Sequence, residues 1–434
     1  MNEAVEVILW GTRIGVVSTT GQGETPRFQY APEFLDSHIE VAPLMMPLSR
    51  DIYSFPIHSR MDAFKGLPGL LADSLPDKFG NAVLSAWLEE RGRSIESLTA
   101  LERLSYAGSR GMGALEYRPA LTADDRPEEA VKLDEIARLA EEVLTRRKDA
   151  RAELKDGMTR YSSILKVGSS AGGARAKALI AWNEKTGEVR SGQVALTEDF
   201  GYWLMKFDGI SANGDHDERD ADGYGRIEYA YHLMACAAGI EMTECSLWDG
   251  RHFMTRRFDR LPGGRKLHAQ TLGAIAHLDF NQPRIHSYEK AFDVTRRVVG
   301  DSRALEQLFR RMVFNALAWN CDDHVKNITY LMEHSGTWRL APAYDMTYSH
   351  SLREDGWTSA HQMSINGKFI DAGYDDFMAC SRAANLSPRK AKSIISEVRD
   401  AVSEWSRFAL EAGVDAEKSE DIGQMISNMI YSGN

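Results

Sequence analysis

The segment Asn320-Cys-Asp-Asp-His-Val-Lys-Asn327, with the Tyr344-Asp345 that follows it, constrains this chain more than any other stretch. Asp322 and Asn327 stand five positions apart. Phosphoryl-transfer loops use that spacing to set a base at a reacting hydroxyl and an amide oxygen on a divalent cation. After Asn327 come the apolar run Ile328–Met332, a polar turn with Gly336, and Thr337–Leu340. That pattern predicts a β-hairpin. A hairpin returns the chain to its starting point, so Asp345 can reach the same cation. Two carboxylates and one amide on loop, hairpin and loop read as a metal–phosphate constellation.

Charge narrows the partners. The formal net charge is −11, which argues against broad nucleic-acid binding by the chain itself. A length of 434 residues suits two or three domains, and 43% hydrophobic with 26% charged residues is an ordinary soluble composition. The four cysteines (Cys236, Cys245, Cys321, Cys380) are scattered and suggest neither a zinc site nor a disulfide framework. The first residues lack the basic start and apolar core of a signal peptide, and no run approaches a membrane span. The expected address is the cytoplasm, with reduced thiols and no membrane partner.

The chain begins with short strand candidates, Val5–Trp10, Ile14–Val17 and Phe28–Tyr30, separated by glycine turns. Pro43–Leu48 is apolar and proline-bounded, which predicts an extended edge. Gly69–Arg91 carries a helical apolar pattern that Pro76 divides in two. Gly108–Gly113 is G-x-x-G-x-G, not G-x-G-x-x-G, and reads as a packed turn. The polar stretch Ala120–Glu129 reads as a linker. Lys132–Leu154, with Ile136, Leu139, Ala140 and Val143, predicts an amphipathic surface helix.

A second β-rich region follows. Strand candidates Ser162–Val167 and Ala176–Trp182 flank the glycine-rich segment from Gly168 to Lys177. Such a loop lets backbone N–H groups approach phosphates closely, although a merely flexible loop has the same composition. Tyr202–Phe207 is a strand with Lys206 inside it. A lysine in an apolar strand is costly unless its ammonium snorkels or meets an anion. Lys206 therefore suits a phosphate-holding strand lysine and equally an edge-strand lysine. The acidic Asp208–Asp222 is not a calcium loop, because Tyr229 falls where the bidentate glutamate must stand. Ile227–Ala238 predicts a helix with Glu228 in its first turn; that carboxylate either pairs with Lys206 or simply suits a helix N-terminus.

Beyond a hairpin at Cys245–Phe258, turning at Asp249-Gly250, the pattern becomes helical. Leu305, Leu308, Phe309, Met312, Val313, Ala316 and Leu317 form one stripe leading to Asp322. Ser387-Pro388 is an N-cap and first-turn proline ahead of a stripe running from Ile394 to Phe408. The last helix carries Ile422, Met425, Ile426, Met429 and Ile430. The order implies an α+β, bilobal, protein-kinase-like fold. Its expected parts are a β-rich N-terminal subdomain (1–125), an N-lobe with the phosphate loop (126–255), and a mainly helical C-lobe (256–434) with catalytic and metal loops.

These motifs resemble HipA, the serine/threonine-kinase toxin family of bacterial type II toxin–antitoxin modules, over nearly the whole chain. Ser170-Ala-Gly-Gly-Ala-Arg-Ala-Lys177 is similar to the family's S-x-x-G-A-x-x-K phosphate loop. Arg257-Phe-Asp-Arg260 matches R-F-D-R, Asp322–Asn327 matches D-x-H-x-K-N, and Leu340–Asp345 matches L-x-P-x-Y-D. Ser364–Lys368 matches a later motif, and Leu75-Pro-Asp77 is a weaker echo.

The resemblance implies roles residue by residue. Asp322 is the catalytic base, and Asn327 and Asp345 hold Mg²⁺. Ser170, Gly172, Gly173, Ala174, Lys177, Lys206 and Lys326 bind ATP, with Arg257 and Phe258 at the hinge that meets adenine. Arg256 stands where a well-known member has glutamate. Ser170 is the expected autophosphorylation site, and Glu228 and His324 support the site, His324 as a structural residue or a chemical one. Asp323 is expected to face solvent rather than metal. The family further implies a protein substrate, an aminoacyl-tRNA synthetase, whose modification arrests translation and growth. It also implies a helix-turn-helix antitoxin of HipB type through which DNA is reached. A small-molecule kinase of aminoglycoside or sugar type shares the base-to-Asn spacing, and a kinase-shaped corepressor is the rival outside catalysis.

Overall fold

The computed structural model describes residues 4–21, 23–121, 130–146, 175–210, 214–215, 218–219 and 222–432. Residues 162–174, with the strand and phosphate loop expected there, lie outside it, as does most of the linker. The chain forms two compact units: Met1–Asp222 with Arg256–Gln270 and Leu331–Gly336, and Gly223–Thr255 with Thr271–Tyr330 and Thr337–Asn434.

The first unit opens with an antiparallel sheet. Its strands are β1 (Ala4–Leu9), β2 (Thr12–Ser18), β3 (Arg27–Tyr30), β4 (Ile52–Ser54) and β5 (Leu115–Arg118), in the order β4-β3-β2-β1-β5. Positive φ at both Trp10 and Gly11 makes the tight β1–β2 turn, whose twist matches the strands it joins. Val5, Val7, Ile14, Val17 and Phe28 fill the buried side. Pro43–Leu48 is not the expected edge strand. It is a turn, with Met46 N bonded to Ala42 O at 3.0 Å, and Tyr30 Oη donates to Met46 O at 2.8 Å. Satisfying the buried Tyr30 hydroxyl favours this packed turn over an extended edge.

Pro76 does divide its segment. Helix α1 (Lys78–Glu89) starts after it, capped by the Asp77 side chain on Gly80 N. Helix α2 (Ala100–Ala107) carries a capping box between Thr99 and Glu102. In α3 (Leu133–Arg146), Ile136, Leu139, Ala140 and Val143 are buried, as their spacing requires. A second antiparallel arrangement places β6 (Lys177–Asn183) between β7 (Glu188–Ser191) and β8 (Gly201–Lys206).

The second unit is mainly helical. Helix α4 (Tyr224–Ala237) begins a turn earlier than its apolar pattern suggests, so Glu228 lies in its second turn and is buried. The hairpin β9 (Cys245–Trp248) and β10 (His252–Arg256) turns at Asp249-Gly250, both with positive φ. Helices α5 (Tyr288–Val298) and α6 (Ser302–Leu317) follow, and all seven residues of the α6 stripe are buried. After β11 (Thr329–Met332) and β12 (Trp338–Leu340) come α7 (Tyr374–Ala383), α8 (Pro388–Ser403), α9 (Trp405–Ala412) and α10 (Ala416–Ser432). The single stripe read from Ile394 to Phe408 is two helices, broken at Glu404. Trp405 then reaches Tyr231 of α4, edge on, with ring centroids 5.2 Å apart. Among the described residues no helix is long and apolar enough to cross a membrane.

Candidate active site

Helix α6 ends at Leu317, and Trp319 takes a left-handed φ of 53° that turns the chain out of the helix. The emerging loop is pinned from both sides. Asn320 N donates to Asn315 O at 3.0 Å, and Cys321 N donates to Ser349 O at 2.9 Å. Asn320 Nδ2 donates to Asn315 Oδ1 at 2.9 Å and to Asp345 O at 3.4 Å. One asparagine thus ties the catalytic-loop candidate to the metal-loop candidate.

Within the loop, Val325–Asn327 forms a single 3₁₀ turn. Asn327 Nδ2 donates to Asp322 O at 2.8 Å. With the amide nitrogen so engaged, its oxygen is the group that can face a hard cation. Trp357 Nε1 donates to Asp322 Oδ1 at 2.9 Å, and His324 Nε2 lies 3.9 Å from the same oxygen. Asp345 has a φ of 52°, a conformation that costs a non-glycine residue energy and persists only where surrounding contacts impose it. Those contacts include the preceding Tyr344, whose hydroxyl donates to Lys326 O and pairs with Thr329 Oγ1, each at 2.6 Å. Asp323, His324, Asn327 and Asp345 line one hollow with Asn315, Asn320 and Tyr288.

Asp323 is not solvent-exposed, contrary to the expectation. Its side chain is wholly buried. Oδ2 accepts from Tyr288 Oη at 2.8 Å and from His361 Nδ1 at 3.1 Å; Oδ1 accepts from Gln362 N at 2.8 Å. Asn315 Nδ2 in turn donates to Tyr288 Oη at 2.9 Å. A buried charge needs such partners. Burial first, and the Asp323 charge second, push the Tyr288 phenol well above its ordinary pKa, so it stays a donor. Neither Tyr288 nor Gln362 carried a motif signal, because their contact with the loop depends on the fold of segments 35 and 39 positions away.

The candidate nucleotide residues divide. Lys177 and Lys206 stand directly opposite each other on β6 and β8. Like charges in that position repel. Lys177 is buried and its ammonium meets Asp77 Oδ2 at 2.7 Å. The faint Leu75-Pro-Asp77 motif thus supplies both a helix cap and a counter-charge. Lys206 is partly exposed at the strand end.

The resemblance also places Arg257 at an adenine hinge. Its guanidinium is closed off by Asp259, with Nε–Oδ1 at 2.9 Å and Nη2–Oδ2 at 2.8 Å. Arg260 Nη1 and Gly113 N both add to Asp259 Oδ2 at 2.7 Å. The Gly108–Gly113 segment is therefore the packed turn its spacing suggested; a Cβ on Gly113 would come within 2.8 Å of Ala269 N. Burial would raise the Asp259 carboxyl, but the Arg257 and Arg260 charges outweigh it and hold the group far below its ordinary pKa. Burial lowers Arg260 to about 10. Phe258 is half-buried, and Lys326 lies with Nζ 4.9 Å from the centroid of the Phe280 ring. Ser170, Gly172, Gly173 and Ala174 fall outside the described residues.

Residues 169–405 match the HipA-like C-terminal domain, and residues 5–118 match the HipA N-terminal domain. The chain belongs to the HipA family. Its fold is similar to a chain in the Shewanella oneidensis MR-1 toxin–antitoxin complex of HipA, HipB and operator DNA, with TM-score 0.66 and 17% identity over 98% of this chain and 96% of that one. A protein of Sinorhizobium fredii provisionally named a kinase, Y4dM, is 25% identical over 221 residues, 46% of this chain. The matched stretch spans half of that relative's length.

Proposed function

We propose that this protein is an ATP-dependent serine/threonine kinase. It transfers the γ-phosphoryl group to a protein hydroxyl and acts as the toxin of a toxin–antitoxin pair. The observation that carries this reading is the Asn327 Nδ2 bond to Asp322 O at 2.8 Å. It closes the loop between Asp322 and Asn327, which supports a reading in which base and amide ligand come from one loop. Asp345, tied to the same loop through Asn320, completes the set.

One carboxylate and one amide suit Mg²⁺, which retains waters and phosphate oxygens in its shell. Asn327 and Asp345 would hold it, and bound there it supplies charge neutralisation to the phosphates. Asp322 orients the substrate hydroxyl and accepts its proton, while Lys206 faces the phosphate charge. Positioning and electrostatics provide most of the acceleration in such transfers. Ser170 is the self-phosphorylated residue, Ser170–Ala174 the phosphate loop, and the backbone at 256–258, with Phe258, the adenine contact. Glu228 is a supporting carboxylate.

The antitoxin is a helix-turn-helix protein of HipB type. Its support is the composition of the Shewanella complex, and the net charge of −11 suits a chain that reaches DNA through a partner. The substrate is an aminoacyl-tRNA synthetase, and the setting is the cytoplasm. Phosphoproteomics after induced expression tests the reading. Wild type should phosphorylate a translation enzyme and arrest growth, and Asp322→Ala should do neither. Equal arrest by both proteins would favour a corepressor. A Ser170→Ala variant should lose one phosphopeptide; an unchanged map refutes that assignment.

A further inference from the structure

Asp322 is gripped by a residue 35 positions downstream that no spacing rule indicates. The segment from Ser349 to Gln362 forms a strap fastened at both ends to the loop that holds Asp322. At one end Cys321 N donates to Ser349 O at 2.9 Å and Ser349 N to Trp319 O at 3.0 Å. At the other, Gln362 N donates to Asp323 Oδ1 at 2.8 Å, and Gln362 Nε2 reaches Cys321 O at 3.4 Å. Gln362 Nε2 also donates to Trp357 O at 2.6 Å and Ala360 O at 3.1 Å, fixing the turn that carries the indole. The strap is closed on itself at Gly356, where a Cβ would stand 2.9 Å from Ser351 Oγ. From its middle, Trp357 Nε1 donates to Asp322 Oδ1 at 2.9 Å.

We propose that Trp357 is a positioning residue for Asp322, and that Asp323 and Gln362 clamp the strap that carries it. The inference rests on the kinase reading above. An indole N–H only donates, so it fixes the rotation of the carboxylate without competing for the substrate proton. A carboxylate offers about four lone-pair sites, so one such bond is compatible with a second to the substrate hydroxyl. In the transfer the hydroxyl proton passes to Asp322, the oxygen bonds to phosphorus, ADP departs, and Trp357 retains its hydrogen. The buried carboxylate next to the base thereby gains a role: Asp323 does not react, but it holds the strap in register.

The test compares Trp357→Phe and Gln362→Met with wild type, using purified full chains, Mg·ATP and a generic protein acceptor. In Trp357→Phe, kcat should fall about 10- to 100-fold, the range for a hydrogen bond to a charged group. KM for ATP should stay within about twofold, the split expected when only the reacting geometry is lost. Gln362→Met should fall in the same direction by less. Adding Trp357→Phe to Asp322→Ala should cost nothing further, because the two act as one unit. The indole N–H resonance absent from Trp357→Phe should be displaced in Asp322→Ala. An unchanged kcat in a folded Trp357→Phe overturns the proposal, as does a KM for ATP that rises as much as kcat falls. Should that variant not fold, Gln362→Met with wild-type kcat overturns it. A wild-type chain that transfers no phosphate instead overturns the kinase reading, so the two failures are distinguishable.

Discussion

Two motifs of equal prominence in the sequence, Arg257-Phe-Asp-Arg260 and Asp322–Asn327, turn out to be physically opposite. In the first, Asp259 is wholly buried between two guanidinium groups and a backbone N–H. Nothing in it is presented outward except the half-buried Phe258. In the second, two adjacent acids are divided: the Asp322 side chain is 27% exposed, and that of Asp323 is fully buried. Recurrence of a charged motif does not separate charge that stabilises from charge that can react. Access to solvent and the number of donors on each carboxylate do.

Substitutions can break this contrast. Asp322→Ala has the largest expected effect: phosphate transfer should fall at least about 100-fold, the lower bound for a general base, with little change in melting temperature. Transfer near the wild-type rate would place the base elsewhere. Asp259→Ala should do the reverse. It leaves two buried arginines facing each other and should lower unfolding free energy by about 3–5 kcal/mol, read by urea denaturation. A mild loss would mean that water reaches the triad. Asp323→Ala sits between these cases. It strips an acceptor from Tyr288, His361 and Gln362, so about 2–3 kcal/mol of stability should go, together with part of the activity through the strap.

The smallest effect is a pH dependence. The folded Asp259 carboxyl titrates far below the unfolded value of 3.8. Its stabilisation is therefore fully present above about pH 4 and lost as pH falls below it. Urea midpoints measured from pH 5 to 3 should drop in wild type, and drop less in Asp259→Asn. Parallel slopes would remove Asp259 from the acid response.

Much of this was legible beforehand. Local rules sufficed where a residue's own backbone chemistry decides: Pro76 dividing an apolar segment, Ser387-Pro388 starting a helix, Asp249-Gly250 turning a hairpin. Periodicity located the α6 stripe because burial along a helix repeats with the helix itself. The spacing of Asp322, Asn327 and Asp345 identified the candidate site for a similar reason, since a short loop and one hairpin set how close three residues can come. Glu404, where one apparent stripe became two helices, escaped because a helix break without proline or glycine leaves the apolar pattern nearly intact.

The remaining assignments depended on what lies next to each charge in space. Asp77 beside Lys177, Asp259 beside Arg260, and Trp357 on Asp322 are contacts between a residue and a neighbour that a one-dimensional pattern either underweights or never pairs. The sequence by itself determined the family and the α+β class, and it nominated the acids proposed to react. Tertiary structure decided which acid is buried and which is not. That follows because desolvation and hydrogen bonding act on a carboxylate through its surroundings, and Asp322 and Asp323, one peptide bond apart, share a sequence context but not an environment.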